Sequence, residues 1–197
     1  MTRDLTALST NQKIVEQIES HWGGLDCAIL NAGNAEYVDI QNFDSVIFER
    51  MMTTNYLSVV KGIEACLPIL RQSPDPYLVG MSSSVAWQGL PKGQAYSASK
   101  AAIRNLFQGL YIELAAQNIA VSWICPGFVK TPLTDKNDFP MPARISAEQS
   151  AKIIFQQLCR KKVEIHFPKR FTLLLKLISM LPASFSSTLL KGTVSQS

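Results

Sequence analysis

The sequence predicts an α/β fold on a doubly wound parallel sheet, from two observations. Helical and strand-like apolar patterns alternate along the chain, which is the signature of βαβ units. The strand-like runs are continuously apolar, and strands of that kind need helices on both faces. In chain order, Ile14, Val15, Ile18 and Trp22 recur at helical spacing and stop at Gly23-Gly24, and Leu25 to Asn31 is a strand running into Ala32-Gly33. Residues 45–72 carry a long helical pattern with Ile47, Met51, Leu57, Val60 and Leu67, predicted to break near Pro68, before the strand Tyr77 to Met81. A helix from Tyr96 to Gln117 holds Ala101, Ile103, Leu106, Leu110 and Leu114 and leads to the β-branched strand Ile119 to Cys125. Ser146 and Gln149 form a capping box that opens a helix to about Arg160, and Val163 to Phe167 is the last strand.

Composition narrows the function classes. The chain has 197 residues, 47% hydrophobic and 17% charged, enough for a substantial core. Its net charge of +4 is spread along the chain, which argues against a nucleic-acid partner. Cys27, Cys66, Cys125 and Cys159 are widely spaced and form no CxxC pair, so neither a metal site nor a disulfide framework is expected. The N-terminus lacks an apolar signal core and no run reaches the roughly 18 apolar residues of a membrane span, which points to a cytoplasmic protein.

Tyr96 and Lys100 lie four apart on a predicted helix, so both side chains leave one face and can approach the same atom. A phenol, with a reference pKa of about 10, is a poor acid or base at neutral pH; a neighbouring ammonium favours its anion and lowers that value. On spacing alone the pair is equally a surface feature of an amphipathic helix. The neighbours carry the case.

The run Ser82-Ser83-Ser84-Val85-Ala86-Trp87-Gln88-Gly89-Leu90-Pro91 leading to Tyr96-Ser97-Ala98-Ser99-Lys100 closely resembles the active-site stretch of the short-chain dehydrogenase/reductase family. Three more motifs follow family order: Asn31-Ala32-Gly33 resembles its NAG motif, Asn55 its helical asparagine, and Pro126-Gly127-Phe128-Val129-Lys130-Thr131 its PGxVxT turn. Asp4-Leu5-Thr6 resembles the DxT segment, whose acid contacts the adenine region. The resemblance implies a Rossmann-type domain over residues 1–168, followed by an apolar helical extension at 169–197. It also implies an NAD- or NADP-dependent oxidoreductase acting on a small-molecule alcohol or carbonyl, as a homodimer or homotetramer. Tyr96 would give or take the hydroxyl proton, Lys100 would lower the tyrosine pKa and hold the nicotinamide ribose, Ser83 would hold the substrate oxygen, and Asn55 would hold a relay water. Ser82 and Ser84 rival Ser83. Asp4, Asn31, Ala32, Gly33, Pro126, Gly127, Val129 and Thr131 would contact the cofactor.

The chain departs from the family at its beginning. Its ten glycines include no GxxxGxG, so the turn that gives a pyrophosphate its backbone donors is not found. The expectation is a fragment or late-start form of a longer enzyme that binds cofactor very weakly alone, with the strand Leu25 to Asn31 left as an aggregation-prone edge. The choice between NAD and NADP is not readable. The alternative is a catalytically inactive chain whose helices at 45–72 and 95–117 serve as a dimerisation module. Phe128 to Ile145, with Pro132, Pro140 and Pro142, resembles the substrate lid. From Phe171 to Leu190, Leu173, Leu174, Leu177, Ile178 and Leu181 share a helical face with Lys169, Arg170, Lys176 and Lys191 nearby. That pattern suits a peripheral membrane contact; a cover over the substrate mouth or a subunit contact is the other reading.

Overall fold

The four predicted strands all form, within two residues of their expected ends, and lie side by side in chain order as one parallel sheet: β1 (Cys27–Leu30), β2 (Tyr77–Met81), β3 (Ala120–Pro126) and β4 (Glu164–Phe167). The structure, a computed structural model, describes residues 4–136 and 141–191. Pro140 of the predicted lid lies outside them. In register, Cys27 sits beside Tyr77, Tyr77 beside Ala120, and Trp123 beside Glu164.

Side-chain alternation along the strands sorts the core into two layers. Leu78, Val121, Trp123 and Cys125 face α3 (Ser58–Leu70) and α4 (Gln94–Ala115), with Val59, Ile63, Leu70, Ile103 and Phe107 opposite them. Helix α1 (Leu8–Trp22) packs outside α3 and ends where Gly23 adopts a left-handed φ of 76° and returns its N–H to Glu19 O. Tyr77, Val79, Ile124, Ile165 and Phe167 face the other way, toward Ile153, Ile154 and Leu158 of α5 (Ala147–Leu158). The tightest seam is at Gly80, where an added Cβ would lie 2.4 Å from Phe107 Cε2. Helices therefore cover both faces, as expected of a doubly wound sheet. The strand order nevertheless runs one way, so the second layer arises because the β3-to-β4 crossover passes on the opposite face, and hence with the opposite hand, from the two before it.

The helical pattern at 45–72 resolves into three parts. Asp44 accepts from Val46 N–H to start α2 (Ser45–Met51), Met52–Leu57 forms a π-turn in which Ser58 N–H reaches Thr53 O, and α3 follows. Pro68 does not break the helix, contrary to the sequence expectation. It removes the donor to Glu64 O on the exposed side, where water can satisfy that carbonyl, while buried Ile69 and Leu70 hold the last turn in place. The capping box between Ser146 and Gln149 forms as predicted. β1 is an edge among the described strands, with Cys27 and Ile29 exposed, whereas every residue of β2 up to Gly80 is buried. After β4 come α6 (Lys169–Met180) and α7 (Ala183–Lys191). No helix among the described residues is long and apolar enough to cross a membrane.

Candidate active site

Because the strands are parallel, the segments after β1, β2 and β3 all emerge at one end of the sheet, where they meet the first turns of α4 and the π-turn. Beyond β2 the chain passes Ser82 and Ser83 into a short 3₁₀ turn at Ser84–Ala86. Of the three rival serines, Ser82 is committed, since its hydroxyl donates to Lys100 O at 2.7 Å and ties the loop to α4. Ser84 is buried in the turn itself. Ser83 caps that turn, receiving Val85 N–H at 3.4 Å, and of the three it is the one whose side chain acts on Tyr96, pulling against the rise of the phenol pKa.

Lys100 follows Tyr96 by one turn of α4. Its ammonium is buried, donates to Met81 O at 2.9 Å and lies 5.9 Å from the centre of the Tyr96 ring. Burial pushes its pKa down to about 8. The expected lowering of the tyrosine is not found here. Burial raises the Tyr96 pKa against the pull of the Ser83 hydrogen bond, and Tyr37 and Cys125 add to the rise. Desolvation outweighs the charge of an ammonium already engaged by a carbonyl.

Asn55, fully buried on the π-turn, acts as a bracket. Its amide donates to Asn34 O and Ser99 Oγ, both at 2.9 Å, and its Oδ1 accepts Asn34 N–H at 2.7 Å. Ser99 in turn donates to Tyr96 O at 2.7 Å. Both amide hydrogens are thus spent on protein, and one lone pair of Oδ1 remains for a further donor. Gly33 closes the group: an added Cβ would lie 3.1 Å from Lys100 Nζ and 3.2 Å from Asn55 Oδ1. The glycine of Asn31-Ala32-Gly33 is therefore demanded by the site itself.

The turn after β3 is less convergent. Gly127 donates to Phe167 O at 2.7 Å, and its missing Cβ makes room for Phe171 and Pro168, so its closeness is to β4 and α6. Pro126 ends β3, Val129 bridges to Ile145, and the Thr131 N–H donates to Thr134 Oγ1 at 3.0 Å. The turn leaves the sheet at the same end as the segments that carry Tyr96 and Lys100. Asp4 stands apart, its carboxylate held low in pKa by the Thr6 hydroxyl and N–H before α1.

Several residues of the site escape a sequence reading. Ser99 had a signal, lying three after Tyr96 on the same helix face, but Asn34 and Tyr37 had none. Trp87, after the serine turn, is clamped from α6 and β4: Lys176 Nζ stands 4.7 Å from the ring centre, and the His166 ring meets it edge-on at 5.7 Å.

Comparison with known proteins places the chain by family and by fold. The family model for short chain dehydrogenase matches residues 1–140. An uncharacterized oxidoreductase of Myxococcus xanthus is 28% identical over 91% of this chain and 71% of its own length. The 11-beta-hydroxysteroid dehydrogenase 1A of Arabidopsis thaliana is 31% identical over 81% of this chain, which spans half of that relative's length. Among solved structures, a short chain dehydrogenase from Burkholderia cenocepacia in complex with NADP matches with a TM-score of 0.82, 20% identity and 99% and 80% coverage of the two chains. One from Burkholderia phymatum in complex with NAD matches with a TM-score of 0.80, 18% identity and 90% and 73% coverage. At these identities the two structures speak for the fold alone.

Proposed function

The chain belongs to the short-chain dehydrogenase family, and on that premise we propose that it is an oxidoreductase in which Ser83, Tyr96, Lys100 and Asn55 act on the alcohol or carbonyl of a small molecule with NAD or NADP. The observation that carries this is the convergence of Ser83, Tyr96 and a buried ammonium, 5.9 Å from the Tyr96 ring centre, on one end of the sheet. Isolated buried charges are costly and cluster where chemistry uses them.

The residues present suit the nicotinamide-ribose end of the cofactor. Lys100 has an ammonium with three donors and one protein acceptor given above, and Gly33 leaves space directly beside it. No glycine-rich turn for the pyrophosphate occurs in residues 1–197. When bound, the nicotinamide supplies or takes the hydride. Lys100 would hold the ribose hydroxyls, with Asn31, Ala32, Gly33, Pro126, Gly127, Val129 and Thr131 lining the same edge and Asp4 toward the adenine. Ser83 and Tyr96 would both donate to the substrate oxygen. The phenol is protonated at neutral pH, its pKa raised by burial, so Tyr96 has a proton to give as negative charge develops on a carbonyl oxygen. Lys100 would return the proton, through a water that donates to the remaining lone pair of Asn55. A second copy would pack on the outer faces of the helices, where Leu57, Tyr111 and Ile112 are exposed.

Tyr96→Phe, made in a chain extended by a glycine-rich cofactor-binding segment, tests the reading. With a panel of alcohols and carbonyls, turnover should fall by about 10²–10⁴-fold, while nicotinamide binding, followed by tryptophan fluorescence, stays within about twofold. Turnover within a few-fold of the parent would overturn it. No binding of either nicotinamide by that extended chain would favour the catalytically inactive dimerisation module instead.

A further inference from the structure

Helix α6 is apolar on two opposite faces. One face, with Thr172 and Leu175 buried, lies on β4 and on the serine turn: Thr172 Oγ1 pairs with His166 Nδ1 at 2.7 Å, and Lys176 forms an ion pair with Glu164. The opposite face presents Leu173, Leu174, Leu177 and Met180 at 49–81% exposure, and the chain continues with exposed Leu181 and Phe185. An ordinary surface helix is polar on that side. A run of large apolar side chains this continuous marks an interaction surface.

The charge around this face says what it fits. From Ile165 to Ser197 the sequence has no Asp or Glu; of its four basic residues, Lys176 is engaged by Glu164 on the inner face, while Lys169 and Arg170 at the start of α6 are exposed. Arg170 falls within the arc of the exposed leucines and is itself exposed. A helix that is basic and leucine-rich suits a bilayer with anionic headgroups. With 12 residues, α6 is suited to lying in the headgroup plane.

We propose that the outer face of α6 docks this protein on the surface of an anionic lipid bilayer. Leu173, Leu174, Leu177 and Met180 insert at the boundary of headgroups and acyl chains, and Arg170 meets headgroup phosphates. Docking leaves the fold intact, because the inner face keeps its contacts with β4. It also sets the turn after β3 beside the membrane, since Phe171, in the first turn of α6, stacks on Phe128 at 5.4 Å. The proposal does not depend on the hydride-transfer reading, and its test reads no turnover.

The test is flotation of the full chain with vesicles of phosphatidylcholine, with and without about a third phosphatidylserine. The parent should float with the anionic vesicles at low salt and be released as salt rises. Arg170→Glu should cut partitioning by about tenfold or more, and Leu174→Glu with Leu177→Glu should abolish it, with the circular dichroism and melting temperature of the parent retained. Failure of the parent to float with anionic vesicles at low salt overturns the proposal, as does floating of the double glutamate variant like the parent. A parent that stays unbound and elutes as a dimer, which the double variant splits, overturns it in favour of an interface between two copies of this chain.

Discussion

Helix α4 buries what helices usually expose, and α6 exposes what they usually bury. In α4 the inner surface carries Ser97, Ser99 and Lys100 among Ile103, Phe107 and Leu114. In α6 the outer surface carries leucines and a methionine. Both arrangements lower stability or solubility for no gain in packing, and both sit at the end of the sheet where the loops converge. A helix that breaks the amphipathic rule toward the inside marks chemistry, and one that breaks it toward the outside marks a surface with a partner.

The strongest way to break this contrast is to restore the rule in α4. Lys100→Met removes a buried ammonium, so it should abolish turnover yet raise stability by about 1–3 kcal/mol at pH 7. The sign follows from linkage: with a folded pKa of about 8 against about 10.5, the unfolded chain takes up the proton first as pH falls from 10.5 toward 8. The deficit builds across that window and is complete below it. Urea denaturation at pH 7 and pH 10.5 checks this, and a variant no more stable than its parent at pH 7 would show that Lys100 is not destabilising.

Asn55→Ala works in the other direction. It strips partners from Asn34 N–H and O and from Ser99 Oγ, so it should cost about 1–3 kcal/mol in the same assay, and turnover should fall because Ser99 then no longer anchors the turn of Tyr96.

A smaller effect sharpens how α6 is held. Burial and the positive charges of Lys169, Lys176 and Lys162 push the His166 pKa down to about 4, against the opposite pull of Glu164. As pH falls from about 6.5 to about 4 the unfolded chain protonates first, so stability should decline across that window and level off below it. Thermal melts at pH 4–7 should show that slope in the parent and a flatter one in His166→Gln. The smallest effect is expected on the outer face of α6: Leu177→Gln should change the unfolding free energy by no more than about 0.5 kcal/mol, since that side chain is 62% exposed.

The element types, the strand positions, the capping box at Ser146 and the stop at Gly23 were legible in the sequence, because they depend on periodicity and on local backbone chemistry carried by adjacent residues. So was the grouping of Tyr96 with Lys100, which needs only one helical turn. Other features were not. The π-turn that turns Asn55 inward, the passage through Pro68, and the change of side between β3 and β4 depend on what each segment meets across the sheet. The direction of the Tyr96 pKa is of the same kind: spacing places an ammonium nearby, but the depth of burial and the carbonyl that engages Lys100 decide the balance. Sequence sets which groups can meet, because the covalent chain fixes their spacing; tertiary structure sets how much water they lose on meeting, and desolvation is the larger energy here.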